Sequence, residues 1–296
     1  MSDERRPEAD NGARSRITAL LTELGVEPVL LSVSDLTARL GVVQGVLADR
    51  VVDLAVTEGG RLRLEAELRG RRWAVERAVG VPEILAAHDD GLWLVSGRVH
   101  SGPIGGSRWV EAAVEAAVRI APLPAPPGDP WQPPPGPAIR RARASAEDAS
   151  RLVRGGIRLS ELRAIRAAVR QLPLSEVTHG DFRAANVVLD EDQDRLVVLE
   201  WVGVCPGPRH RDLLTLWATT GSDEDRAAVV DVVLDRTAGW EAPDVGLLWH
   251  AVALEQLVAR LTRPDRGDGL DVAFARARLA DARRIAAELG SSASRG

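Results

Sequence analysis

The chain has 296 residues, of which 45% are hydrophobic and 27% charged, and a formal net charge of -5. That is enough for one large core or two modest domains. The acidic balance excludes a globally basic nucleic-acid-binding surface, and no stretch is long and charge-free enough to span a membrane. All 38 basic residues are arginine, with no lysine anywhere, and the single cysteine, Cys205, excludes an intrachain disulfide. One free thiol fits a reducing compartment, and the polar first residues lack the apolar run of a signal peptide. A cytoplasmic location is therefore expected.

Residues 1–13 read as disordered, and a short helix closes at Gly25. Strands are expected at Val29–Val33, Val42–Leu47 and Val51–Val56, with Thr57-Glu58-Gly59-Gly60 as a turn. Arg61–Val75 reads as a helix with Leu64, Leu68 and Val75 on one stripe and the helix-weakening Gly70 inside it. A turn at Asp89-Asp90-Gly91 leads into a strand from Leu92 to Val95. These elements make a strand-rich N-terminal lobe over residues 14–100.

The rest, residues 101–290, reads as mostly helical, followed by a tail at 291–296. A helix is expected from Ser107 to Val118. Nine prolines in residues 121–138 dictate a loop there. Apolar residues recur at helical spacing in 159–172, and further helices are expected over 223–236, 244–262 and 271–289. Between them, Val187–Leu189 and Leu196–Leu199 flank an acidic turn and form a hairpin. The acidic run Asp223-Glu224-Asp225 reads as a helix start, where negative charge is favoured. The tryptophans read as packing residues, the arginine clusters as solvated faces. No zinc spacing joins the histidines to Cys205.

The densest chemical signal is His179-Gly180-Asp181-Phe182-Arg183-Ala184-Ala185-Asn186. A carboxylate on a loop stands five residues before a carboxamide at the start of a strand. Groups of these types are wanted where a phosphoryl group and a divalent cation meet. Asp181 is placed to accept the proton of a substrate hydroxyl. Asn186 offers a hard oxygen ligand, and Glu200, at the far end of the hairpin's second strand, offers another.

Residues 179–213 resemble the catalytic core of the aminoglycoside phosphotransferase and choline kinase family. His179-Gly180-Asp181 is similar to its catalytic loop, Asn186 to its metal-binding asparagine, and Val198-Leu199-Glu200-Trp201 to its Ile-Asp-Trp metal segment. Gly207-Pro208-Arg209-His210-Arg211-Asp212-Leu213 is similar to the downstream segment whose aspartate braces the catalytic loop. The resemblance implies a two-lobed, protein-kinase-like α+β fold with a small strand-rich N-lobe and a mostly helical C-lobe. It implies Asp181 as catalytic base, His179 and Asp212 as supports, and magnesium on Asn186 and Glu200. In the N-lobe it implies an ATP site near Glu65, with Arg98 and Val99 at the hinge.

Two departures stand out. Ala55 falls where the family carries a phosphate-binding lysine, so Arg50 or Arg63 would have to supply that charge, and the two cations are not interchangeable. The usual metal-binding aspartate is Glu200, one methylene longer, at a cation that demands close octahedral geometry. No clear glycine-rich phosphate loop is present. The first expectation is an ATP- and magnesium-dependent phosphotransferase acting on a hydroxyl of a small molecule. Its alternatives are a catalytically weak or inactive kinase-like protein that binds a ligand or protein partner, and a tailoring enzyme acting on a biosynthetic peptide. The sequence leaves the oligomeric state open.

Overall fold

The computed structural model describes residues 6–36, 40–102, 104–126, 147–236, 242–262 and 272–293. Most of the proline-rich loop, the first five residues and the last three lie outside them. The chain divides into two compact units. Unit 1 holds the first 103 residues together with Val188–Cys205, and unit 2 holds most of the remainder.

Unit 1 opens with α1, Arg6–Glu23, which starts within the stretch whose composition suggests disorder. Five strands follow in an antiparallel sheet ordered β1-β2-β3-β5-β4: Ser32–Asp35, Val42–Val46, Arg50–Ala55, Ile84–Ala87 and Trp93–Gly97 in chain order. β1 lies a few residues beyond the expected Val29–Val33, where Val29 and Leu31 are exposed. Side chains alternate across the sheet. Val43 and Val52 face a core shared with Ile17 and Leu21 of α1, all fully buried. Each such side chain contributes about 1.5–3 kcal/mol on burial. Val42, Gln44, Val51 and Asp53 face the other way, with Gln44 directly opposite Asp53.

The helix after β3, α2, runs Glu58–Val75. It begins before the expected Arg61 because Thr57 caps it, its hydroxyl oxygen accepting the Gly60 amide at 3.1 Å. Gly59 and Gly60 thus belong to the first turn rather than to a loop. A Cβ on Gly60 would lie 2.0 Å from the Gly41 carbonyl oxygen. The helix is also unbroken at Gly70. There the missing side chain admits the Trp201 carbonyl oxygen, 2.3 Å from where a Cβ would stand.

The expected hairpin forms from β7, Val187–Asp190, and β8, Arg195–Val198. From Val188 on it belongs to unit 1. Val198 donates its amide to the Gly80 carbonyl at 2.9 Å, and Trp201, in a short 3-10 turn, packs against Trp73 at 6.1 Å.

Unit 2 is mostly helical. It contains α3 (Ser107–Ile120), α4 (Leu159–Val169), α5 (Arg211–Thr219), α6 (Asp223–Arg236), α7 (Ala242–Thr262) and α8 (Val272–Ala293). A short ladder pairs β6, Glu176–Thr178, with β9, Cys205–Gly207. Trp217 of α5 and Trp249 of α7 meet edge-on at 5.5 Å in its core. Trp109 of α3 is buried and donates to the Val187 carbonyl at 2.8 Å. At the start of α6, the Ser222 hydroxyl accepts the Asp225 amide at 3.3 Å, and the Asp225 carboxylate accepts the Gly106 amide at 3.1 Å. Among the described residues no helix is long and apolar enough to cross a membrane.

Candidate functional site

In unit 2, β6 delivers the chain into His179-Gly180-Asp181. Gly180 takes a φ of 85°, open to glycine at little cost. His179 is fully buried and meets Phe182 edge-on at 5.9 Å. Its backbone amide donates to Asp212 at 2.7 Å. Burial pushes the Asp212 carboxyl up to about 7, opposed by the amides of His179 and Gly180 that it accepts. Asp212 is therefore a brace for the loop, held away from solvent.

Asp181 itself is partly open to solvent, with a side chain 32% exposed. The Asn186 carboxamide donates to the Asp181 carboxylate at 3.0 Å and to its carbonyl at 2.9 Å. The Arg183 guanidinium lies 3.2 Å from the same carboxylate. This leaves the Asn186 oxygen free of that donation and keeps Asp181 an acceptor. Sequence reasoning missed one support. Thr219, buried on α5, accepts the Ala184 amide at 3.0 Å. It lies two helical turns from Asp212, so one face of α5 grips the loop at both ends. Its seven-residue spacing from Asp212 was the available signal.

The N-lobe candidates and Glu200 fall in unit 1, around a cavity of about 310 Å³. Arg63, Arg98, Val99 and Glu200 line it. Arg50 does not; it forms an exposed pair with Asp49, with Nε to carboxylate oxygen at 2.8 Å. Glu65 also stands outside the lining, 3.4 Å from Arg61 on the outer face of α2. The helix carboxylate that lines the cavity is Glu67, two residues on and 3% exposed. Likewise the charged side chain that β3 sends inward is Asp53, not Ala55.

These groups form a polar cluster. Gln44 donates to Asp53 at 2.9 Å. Arg71 donates to Glu67 at 2.6 Å and to the Ser96 hydroxyl at 2.7 Å. Arg63 pairs with Glu200. Burial raises the Asp53 carboxyl, with Gln44, Arg71 and Arg63 opposing and Glu67 adding to the rise. Glu200 is open to the cavity yet surrounded by protein. That confinement pushes its carboxyl up, against the pull of Arg63 and with further push from Glu67 and Asp53. Its backbone takes a φ of 63°, sparsely populated for a side-chain-bearing residue.

A strand cation facing a helix carboxylate would suit a nucleotide's phosphates. Here the polarity is reversed: the strand supplies Asp53, and α2 supplies Arg63 and Arg71 along with Glu67. Three carboxylates face the cavity, and the best-placed arginine is committed to one of them. This donor set does not fit a phosphate chain, whose charge the carboxylates repel. Nor, among the described residues, is any group of three or more His, Cys, Asp or Glu side chains arranged to hold a metal ion.

A model of the phosphotransferase enzyme family matches residues 29–249, and the chain belongs to that family. Three solved structures extend the likeness to the whole fold. A choline/ethanolamine kinase family protein from Mesorhizobium loti is 15% identical, with 97% of this chain and 100% of that one covered and a TM-score of 0.52. The choline kinase LicA from Streptococcus pneumoniae is 11% identical, with coverage of 93% and 98% and a TM-score of 0.54. A thermostable mutant of aminoglycoside phosphotransferase APH(4)-Ia is 16% identical, with coverage of 90% and 97% and a TM-score of 0.53. At these identities the likeness is one of fold: the two-lobed kinase-like architecture that the catalytic-loop motif implies. A comparison with curated proteins gave no match.

Proposed function

We propose that this chain is a small-molecule-binding member of the phosphotransferase family in which phosphoryl transfer from magnesium ATP is catalytically weak. One observation carries this reading: the buried carboxylate of Asp53 occupies the inward position on β3, beside Glu67 and the Arg63–Glu200 pair. A triphosphate entering that cavity meets like charge where it needs a cation.

A second reading, the ATP-dependent phosphotransferase acting on a small-molecule hydroxyl, is favoured by the loop of unit 2. Asp181 is open to solvent, held by Asn186 and braced through Asp212. In that reading Asp181 orients the acceptor hydroxyl and takes its proton, and ATP supplies the phosphoryl group. Asn186 would offer its carboxamide oxygen to magnesium.

Turnover of ATP with magnesium across a panel of hydroxylated compounds separates the two. The first reading expects the same low rate from the wild type and from Asp181→Asn. A rate that falls about a hundredfold or more in Asp181→Asn, the scale on which a positioned base contributes, establishes the second reading instead.

A further inference from the structure

The walls and floor of the unit 1 cavity differ in kind. Leu40, Val42, Val51 and Leu199 give it aliphatic walls, and Asp53 and Glu67 give it a carboxylate floor. Its volume of about 310 Å³ is at the small end for organic ligands, which occupy roughly 300–1,000 Å³.

The floor is incompletely satisfied. Glu67 Oε1 accepts from Arg71, but Oε2 is buried without a hydrogen-bond partner, on a residue 3% exposed. Such an oxygen is an acceptor waiting for a donor. The charges do not balance either. Three carboxylates, Asp53, Glu67 and Glu200, face two guanidiniums, Arg63 and Arg71. Arg98 also borders the cavity, but it turns its guanidinium to the carbonyls of Leu47 and Ala48, at 3.4 and 3.5 Å. By formal charge, the carboxylates outnumber by one the guanidiniums paired with them. Burial is the main reason that the Asp53 and Glu200 carboxyls are displaced upward, and the like charge of their neighbours adds to it.

We propose that this cavity binds a compact organic monocation, an amidinium, guanidinium or protonated amine on an apolar frame, through Asp53 and Glu67. Such a ligand supplies the N–H donor that Glu67 Oε2 lacks and neutralises the excess charge. Its frame fills the aliphatic walls. The inference rests on the reading that unit 1 does not seat a triphosphate.

The test uses the full chain and three probes: benzamidine, its neutral shape-match benzamide, and magnesium ATP. Calorimetry and thermal melting are expected to show benzamidine binding at about millimolar or tighter, and benzamide binding at least about tenfold more weakly. Glu67→Gln and Asp53→Asn should each weaken benzamidine by about tenfold or more, while Glu115→Gln, on α3 of unit 2, leaves it unchanged. Should either cavity variant fail to fold, amide exchange of the wild type decides. Benzamidine should then slow exchange in β2, β3 and α2. Equal binding of benzamide, no benzamidine binding at all, or protection confined to unit 2 overturns the inference. Tight magnesium ATP binding overturns the functional reading beneath it. If ATP and benzamidine both fail to bind, the inference falls and that reading stands.

Discussion

His210 and Asp212 stand two residues apart and titrate in opposite senses. Burial pushes the His210 imidazole down to about 4 from 6.5, with the Arg209 charge adding to the fall. Burial pushes Asp212 up to about 7 from 3.8. Between pH 4 and 6.5 the unfolded chain therefore binds the extra proton at His210, so that group adds stability as pH rises. Over the same range the folded chain binds the extra proton at Asp212, so that group removes stability as pH rises. Glu176, also raised by burial and accepting the His210 amide at 2.8 Å, acts in the same direction as Asp212. The two main slopes oppose, and the wild type should have a shallow profile there. His210→Asn, tolerable at a φ of 64°, should unmask a stability that falls from pH 4 to 7. Asp212→Asn should unmask a rise. Urea midpoints across this range measure both, and a His210→Asn profile parallel to the wild type would refute the pairing.

At the scale of elements, α2 shows where local rules and packing part. Glycine inside a helix costs about 0.5–1 kcal/mol relative to alanine, so propensity alone favours Gly70→Ala. The Trp201 carbonyl oxygen, 2.3 Å from the alanine methyl position, reverses that preference. Overpacking of this kind costs about 1–3 kcal/mol, and Gly70→Ala should destabilise despite its better propensity. Chemical denaturation checks the sign; a stabilised variant would mean that α2 does not press on the 3-10 turn.

The same helix shows the limit of reading a sequence. The burial of Leu64 and Leu68 and the helix's extent to Val75 were legible from spacing, but Val75, expected on the same stripe, is exposed. Its start was not, because Thr57-Glu58-Gly59-Gly60 carries turn chemistry until Thr57 is seen to cap. Which charged face turns inward was not legible either. Glu65 and Glu67 both lie in a charged run, and only the sheet beneath decides that Glu67 is the one enclosed.

At the scale of the whole molecule, the sequence suggests a boundary near residue 100, but unit 1 also claims Val188–Cys205. That segment is structural. Trp201 and Val197 are buried, Gly80 packs against the Leu196 carbonyl, and Gly102 donates to the Leu189 carbonyl at 3.0 Å. A fragment ending at Pro103 lacks these partners and should show no cooperative melt by circular dichroism. The same fragment fused through a flexible linker to residues 188–205 should recover one. Cooperative folding of the short fragment would show the hairpin to be dispensable.

By itself the sequence determined the family and picked out the loop of Asp181 and Asn186. Asp181 and Asn186 stand five residues apart in one short run, and local geometry follows from local sequence, whereas Asp212 meets His179 across 33 residues and was read only through the downstream motif. The tertiary structure alone decided the polarity of the unit 1 cavity. Asp53 enters it because β3 alternates with Val52 in the core. Arg63 meets Glu200 across 137 residues of chain. The phase of a strand and a pairing that distant depend on how elements pack, which no window of residues contains.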